Sequence, residues 1–353
     1  QPEGWTPTIA LAALLFAAPL FAAQPTVKKV ELVVGSRLPA EGGPEMTPAS
    51  PLKSPFGVDF DTAGSMFIVE LEGGRVFERT PVGEVRQIGG DGGKSYQGDN
   101  GPLAKATFNG MHNVAITKSG RMLISDTWNN CVRDVDLPTR MIKTLAGNGQ
   151  AGFADGPGPD ARFNFVMCVT LDPAEKNLHI ADINNRRIRV LNLETNAVTT
   201  IAGNGMKGVP EDGAKALEAP LVDPRAVAAD AEGRVYVLER GGHALRRVDP
   251  DGTIRTVVGT GKAGFKDGPA REAQLNSPKH LCVDEQGRVY IADDTNAAIR
   301  CYDPATETVT TLLGRGHGDE RIKLNRPHGV TREKDSLYVM DTYHDRIFRL
   351  ELE

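Results

Sequence analysis

A chain of 353 residues with 40% hydrophobic content has the material for a large core, and its length alone would allow two or three domains. A formal net charge of −5 at pH 7, without a long basic run, excludes the electrostatic footprint of a nucleic-acid binder. Four cysteines, Cys131, Cys168, Cys282 and Cys301, form no C-x-x-C pair and keep no fixed spacing, so they read as separate small core residues rather than a disulfide framework or a thiolate zinc site.

The first recognisable element is the apolar run TIALAALLFAAPLFAA over residues 8–23, interrupted by Pro19. It is short for a membrane span, which needs roughly 20 residues, and its length and small-residue end at Ala22 and Ala23 suit a signal-peptide core. The preceding QPEGWTPT has neither an initiator Met nor a positive charge, so a truncated start and an uncleaved anchor both stay open, with a buried helix as the plainer alternative. The expectation is a leader over 1–23, export to the periplasm or the medium, and a mature chain from 24 to 353 without a membrane span.

Next comes KKVELVVG, Lys28 to Gly35, a lone β-rich strand closed by glycine. From Ser54 onward the same pattern is written again and again. Each copy opens on a Pro-x-Gly-Val-like strand, as in SPFGVDFD from Ser54, DPRAVAAD from Asp223, SPKHLCVD from Ser277 and RPHGVTRE from Arg326. A second strand ends in an acid, at Glu70, Asp126, Asp182, Glu239, Asp293 and Asp341; a third carries arginine, at Arg133, Arg189, Arg246 and Arg300, seven residues after four of those acids. The fourth ends on a glycine, at Gly35, Gly89, Gly147, Gly203, Gly259 and Gly314, 54 to 58 residues apart. Four short strands per unit at this period predict the blades of an all-β propeller. The last copy, ending in RIFRLELE, lacks its fourth strand, and KKVELVVG lacks the other three. Joined, they make six four-stranded blades in a ring with no open edges.

The stretch LAGNGQAG, Leu145 to Gly152, matches the G-x-G-x-x-G spacing of dinucleotide-binding turns, but the spacing returns at Gly203 and Gly259 and no helix opening follows. It therefore reads as a connector between blades, with Asp155-Gly156, Asp212-Gly213 and Asp267-Gly268 as second turns. The repeated acids read in the same structural way, capping backbone or pairing with arginine; a ring of calcium ligands is the competing reading.

The segments HIADINNRRIRVLNLETNAVTTIAG from His179 and YIADDTNAAIRCYDPATETVTTLLG from Tyr290 resemble the NHL-repeat β-propellers, in a branch with a longer period. The resemblance covers nearly all of the chain after the leader. It implies a six-bladed propeller, and the chain departs from the versions joined to RING and B-box domains.

Deviations within a repeat carry more information than the repeat. The residue that follows the opening Pro position faces the channel mouth by propeller geometry, and blade by blade it is Phe56, His112, Met167, Arg225, Lys279 and His328. Two imidazoles and two cations suit a carboxylate, phosphate or other anion, with binding expected to strengthen below about pH 6.5 as the imidazoles charge. His112, His328, Arg225 and Lys279 are also the candidates for catalysis by a lyase or hydrolase. A zinc site would need His112, His328 and a third imidazole swung in from His280. The chain is similar in this respect to six-bladed amidating lyases, which hold zinc by channel histidines, but it has Lys279 at the third place; the Glu-Asn-Asn-Asp set of gluconolactonase-like enzymes is not matched. Zinc and calcium are thus the candidate ions. Loops on the same rim carry Trp128, Asn129, Asn130, Asn184, Asn185, Arg186, His243, Tyr343, His344 and Asp345, which suit either a binding face for a small ligand or protein partner, with Trp128, Tyr343 and His344 foremost, or ordinary turns.

Overall fold

The computed structural model describes residues 24–35 and 51–353; the leader-like run lies outside them. Six antiparallel sheets follow one another around a ring. From the channel outward the first blade has Pro55–Phe60, Met66–Glu70, Val76–Arg79 and Val85–Gly89, and the second Met111–Ile116, Arg121–Asp126, Cys131–Asp136 and Met141–Ala146. The third runs Val166–Leu171, Asn177–Asp182, Arg187–Asn192 and Ala197–Ala202, and the fourth Pro224–Ala229, Val235–Glu239, Ala244–Val248 and Thr253–Val258. The fifth has His280–Val283, Val289–Asp293, Ala298–Asp303 and Thr308–Leu313. The sixth takes Pro327–Glu333, Ser336–Asp341 and Arg346–Leu352 from the C-terminal end, and Val27–Val34 pairs with its outer side, Val30 opposite Leu350 and Leu32 opposite Phe348.

The burial pattern explains the strand compositions. Inner strands are closed in by the neighbouring blades, so Met111–Ile116 is buried at every position. Outer strands bury one side only: in Met141–Ala146 Ile142 is inside while Met141 and Lys143 face water. Phe67 and Val69 of the first blade pack on Met111, Val114 and Ile124 of the second, one of several apolar layers between blades. Among the described residues no helix is long and apolar enough to cross a membrane. All four cysteines are free thiols, three of them buried.

Two features differ from the sequence reading. Blades two to five have a fifth, two-residue strand, because Gly101–Pro102, Gly156–Pro157, Ala214–Lys215 and Gly268–Pro269 in the connectors fold back onto the outermost strand. In the first blade the equivalent of the closing glycine is Gly90, not Gly89: Gly89 pairs with Val76 as Ala146 pairs with Val132. With Gly90 in place the glycine spacing becomes 55, 57, 56, 56 and 55 residues.

These glycines have φ between +74° and +107°, and a Cβ at Gly147 would meet the Asn130 carbonyl oxygen at 2.5 Å, at Gly203 that of Arg186 at 2.1 Å. Both the left-handed backbone and the close approach therefore demand glycine. Gly147→Val or Gly203→Val should cost roughly 1–3 kcal/mol from backbone strain alone, read as a lower Tm. Equilibrium dialysis should find no nucleotide affinity to lose; measurable binding of ATP or NAD by the parent chain, abolished by Gly147→Val, would revive the phosphate-loop reading.

Candidate site at the channel mouth

The repeated acids are scaffold. Asp126, Asp182, Asp293, Asp341, Glu70 and Glu239 are completely buried. One oxygen of each aspartate accepts a backbone N–H from the turn that precedes its own inner strand, at Asn109, Asn164, Asn276 and Asn325, over 2.6–2.8 Å. The other holds a buried guanidinium: Arg133 at 3.1 Å, Arg189 at 2.9 Å, Arg300 at 2.8 Å and Arg346 at 2.7 Å. Glu70 and Glu239 hold Arg75 and Arg246. With their oxygens filled by donors, these acids do not fit calcium.

The same accounting separates turn residues from binding residues on the rim. Asn129, Asn185 and Asn296 each donate to the acid three residues before them, and His344 stands in their place, its Nδ1 2.9 Å from Asp341. His344 is thus tied through Nδ1 to the acid and arginine of the sixth blade. Asn130, His243 and Asp345, all left-handed with φ of 48–52°, accept the backbone N–H of Phe165, Ser277 and Ser54 in the next blade. They staple neighbouring blades together. Asn184 bonds Asn164 across its own turn.

What remains is the register position on the inner strands. The Phe56 ring lies across the channel, 4.7 Å from His112, 4.8 Å from His328 and 5.4 Å from the Arg225 guanidinium of the opposite blade. Lys279 Nζ is 2.7 Å from His328 Nε2. The four polar residues named from the register are therefore brought together around Phe56. Trp128 and Tyr343, at the same place in blades two and six, stand edge-on to His112 and His328 at 5.8 and 5.2 Å and are 36% and 55% exposed.

An acid that sequence reasoning missed completes the group. Asp294, fully buried, lies 3.2 Å from His328 Nε2, 3.4 Å from Lys279 Nζ and 2.7 Å from Arg326. Its signal was hidden behind the repeat acid Asp293; the column one place after that acid holds Leu71, Thr127, Ile183, Arg240, Asp294 and Thr342, where the charged pair stands out. Arg240 is taken by Asp223 at 3.0 Å. Three cations, Lys279, Arg326 and Arg240, thus share the two carboxylates Asp294 and Asp223. Arg225 is left over: only 3% exposed, it has no carboxylate within ion-pair distance among the described residues, and its Nε has no hydrogen-bond partner.

Burial governs the protonation states. It pulls Arg225 down to about 10, helped by the charge of Arg240, and Lys279 down to about 8 against the pull of Asp294. It pushes His328 down to about 4 and His112 well below the ordinary histidine value, Arg225 adding to the effect on His112. Burial works to raise Asp294, but the contact with His328 and the Lys279 ammonium outweigh it and hold the carboxyl below its usual value. Both imidazoles are therefore neutral near pH 7, and the expected strengthening of anion binding below pH 6.5 does not follow. His328 Nε2 faces both the Lys279 amine at 2.7 Å and Asp294 Oδ1 at 3.2 Å, while its Nδ1 has no hydrogen-bond partner. His112 donates from Nδ1 to the Gly110 carbonyl at 2.9 Å, which leaves a lone pair on Nε2.

His280 points elsewhere. Neighbouring residues on a strand face opposite ways, and His280 donates from Nδ1 to the Val330 carbonyl while its Nε2 accepts from Asn113 at 2.7 Å. It borders a separate 350 Å³ cavity toward the far ends of the inner strands, with Asp59, Thr170, Thr331 and Arg332. The expected zinc triple is not assembled: no three metal-binding side chains converge among the described residues, and Lys279 occupies His328 Nε2. Zinc does not fit this mouth.

A model of the Teneurin NHL domain matches residues 160–267. SUPPRESSOR OF QUENCHING 1, chloroplastic, of Arabidopsis thaliana is 27% identical over 82% of this chain and 33% of its own length; NHL repeat-containing protein 2 of Bos taurus is 24% identical over 87% and 47%. The chain thus spans a third to a half of the length of these curated relatives. An auxiliary nutrient binding protein from Bacteroides thetaiotaomicron superposes with a TM-score of 0.67 at 15% identity, covering 92% of this chain and 76% of that one. The likeness in sequence runs through most of the ring rather than a single unit of it: the chain is similar to NHL-repeat proteins and folds as a six-bladed β-propeller.

Proposed function

We propose that the chain is a binding module whose channel mouth holds a small anion between Arg225 and Lys279. The observation that carries this reading is the buried Arg225 guanidinium without a carboxylate partner among the described residues. A charge removed from water costs free energy until a counter-charge meets it, and an anionic ligand supplies one. The buried Nδ1 of His328 is a further polar atom of the same group without a hydrogen-bond partner. A nutrient-binding propeller of the same fold is compatible with such a role. Export to the periplasm or the medium rests on the composition of residues 8–23 alone.

Calorimetric titration with acetate and with inorganic phosphate tests the reading. Arg225→Ala should weaken binding of either by at least about 10-fold, the scale of a charge-assisted hydrogen bond, and raising the salt should weaken it further. Lys279, which faces Asp294, Arg225, Arg326 and His328, holds an anion only while protonated. Affinity should therefore be full below about pH 7 and fall as the pH rises through about 8, with no gain on acidification from 7 to 5. An Arg225→Ala chain that binds both anions like the parent would sink the proposal.

A second reading, a lyase or hydrolase at the same mouth, is favoured by the lone pair that the His112 tautomer leaves on Nε2, a base already oriented by Gly110. His112→Gln should abolish any turnover, with Tm read alongside because the ring is buried against Phe56 and Trp128.

A further inference from the structure

The charges of the mouth are gathered on one side and its rings on the other. Arg225 and Lys279 come from blades four and five. Across the channel, blades two, one and six contribute an unbroken arc of five rings, Trp128, His112, Phe56, His328 and Tyr343, with successive centroids 5.8, 4.7, 4.8 and 5.2 Å apart. Its middle members are buried, and only the terminal ones, Trp128 and Tyr343, are open to solvent. The backbone keeps Trp128 in place: a Cβ at Gly110, φ +72°, would lie 2.3 Å from the indole, so the ring rests on a glycine. Large exposed rings that make edge contacts with a buried polar cluster, beside a buried unpaired guanidinium, form a surface with an apolar wall and a cationic wall.

We infer that the ligand of this mouth is an aromatic carboxylate, its ring lodged against Trp128 and Tyr343 and its carboxylate turned to Arg225 and Lys279. The inference rests on the anion reading and goes further by naming the body that carries the charge. A free inorganic anion would use the cationic wall and leave the rings wet. A neutral aromatic would use the rings and leave Arg225 unpaired, which is the costlier omission because the guanidinium is already buried. The ring contributes through stacking and edge contacts, and two such contacts correspond to about a 10-fold gain in affinity.

Benzoate, acetate and benzyl alcohol separate the alternatives, titrated calorimetrically into the full chain at pH 7. The sequence has two tryptophans, Trp5 and Trp128, so in the Trp5→Phe chain indole fluorescence reports Trp128 alone. Benzoate should bind about 10-fold tighter than acetate and than benzyl alcohol, and should change the Trp128 emission where acetate does not. Trp128→Leu with Tyr343→Leu should bring benzoate down to the acetate level; both positions are exposed, and an unchanged Tm confirms that the fold survives. Equal affinity for benzoate and acetate would overturn this inference and leave the anion site standing. Benzyl alcohol binding as tightly as benzoate would overturn it as well, and no binding of any anion would remove both readings.

Discussion

Replacing Asp182 by alanine should lower the unfolding free energy by about 3–5 kcal/mol, the usual cost of leaving one member of a buried ion pair alone. Arg189 is completely buried and would keep a single carboxylate, Asp155, whose side chain is 41% exposed. The N–H of Asn164 and the amide of Asn185 would lose their acceptors at the same time. Asp155→Ala removes the outer partner instead, where water can replace it, and should cost clearly less. Asp182→Leu combined with Arg189→Met should recover part of the loss, since no buried charge is then left unmatched. Urea titrations of the four chains at pH 7 decide the matter. A loss under about 1 kcal/mol for Asp182→Ala would mean that the acid at the end of the second strand is not structural, and would reopen a functional role for the whole ring of acids.

The blades were legible because a repeat is its own control: a feature that returns every 55 to 57 residues belongs to the fold, and this reasoning disposed of the Gly147 motif and of the acids together. The register position was legible for the same reason, since Phe56, His112, Arg225, Lys279 and His328 deviate within one column. Four things were not. The Gly-Pro pairs of the connectors are too short to show a strand period, so the fifth strands were missed. His280 was placed beside Lys279 by sequence distance, whereas strand alternation turns it to another environment. The imidazoles were expected to charge near their free value, and only the packing of Phe56 and Arg225 against them reveals why burial holds them neutral. The rim loops were ambiguous because asparagine and histidine serve equally in left-handed turns and in ligand contacts; the hydrogen-bond partners of Asn130 and His243 show what they do in their turns.

The first and last described strands of the chain meet in one sheet. Val27–Val34 covers the outer side of Arg346–Leu352, and Val34 is buried while Val30 and Leu32 pack on the cluster that includes Phe348 and Leu350. Deleting residues 28–35 exposes that apolar layer and leaves Arg346–Leu352 as a bare edge, with a row of unpaired backbone donors and acceptors. The expected result is a loss of about 4 kcal/mol or more, a fall in Tm on the order of 10 °C, and association that grows with protein concentration. A synthetic peptide spanning residues 24–35 should restore both the Tm and the monomeric state when added in excess, because the missing strand is held by pairing and packing that need no peptide bond to the rest of the chain. A truncated chain that melts like the parent would show that the sixth blade is stable with three strands, and the two ends of the chain would then have no part in holding the propeller closed.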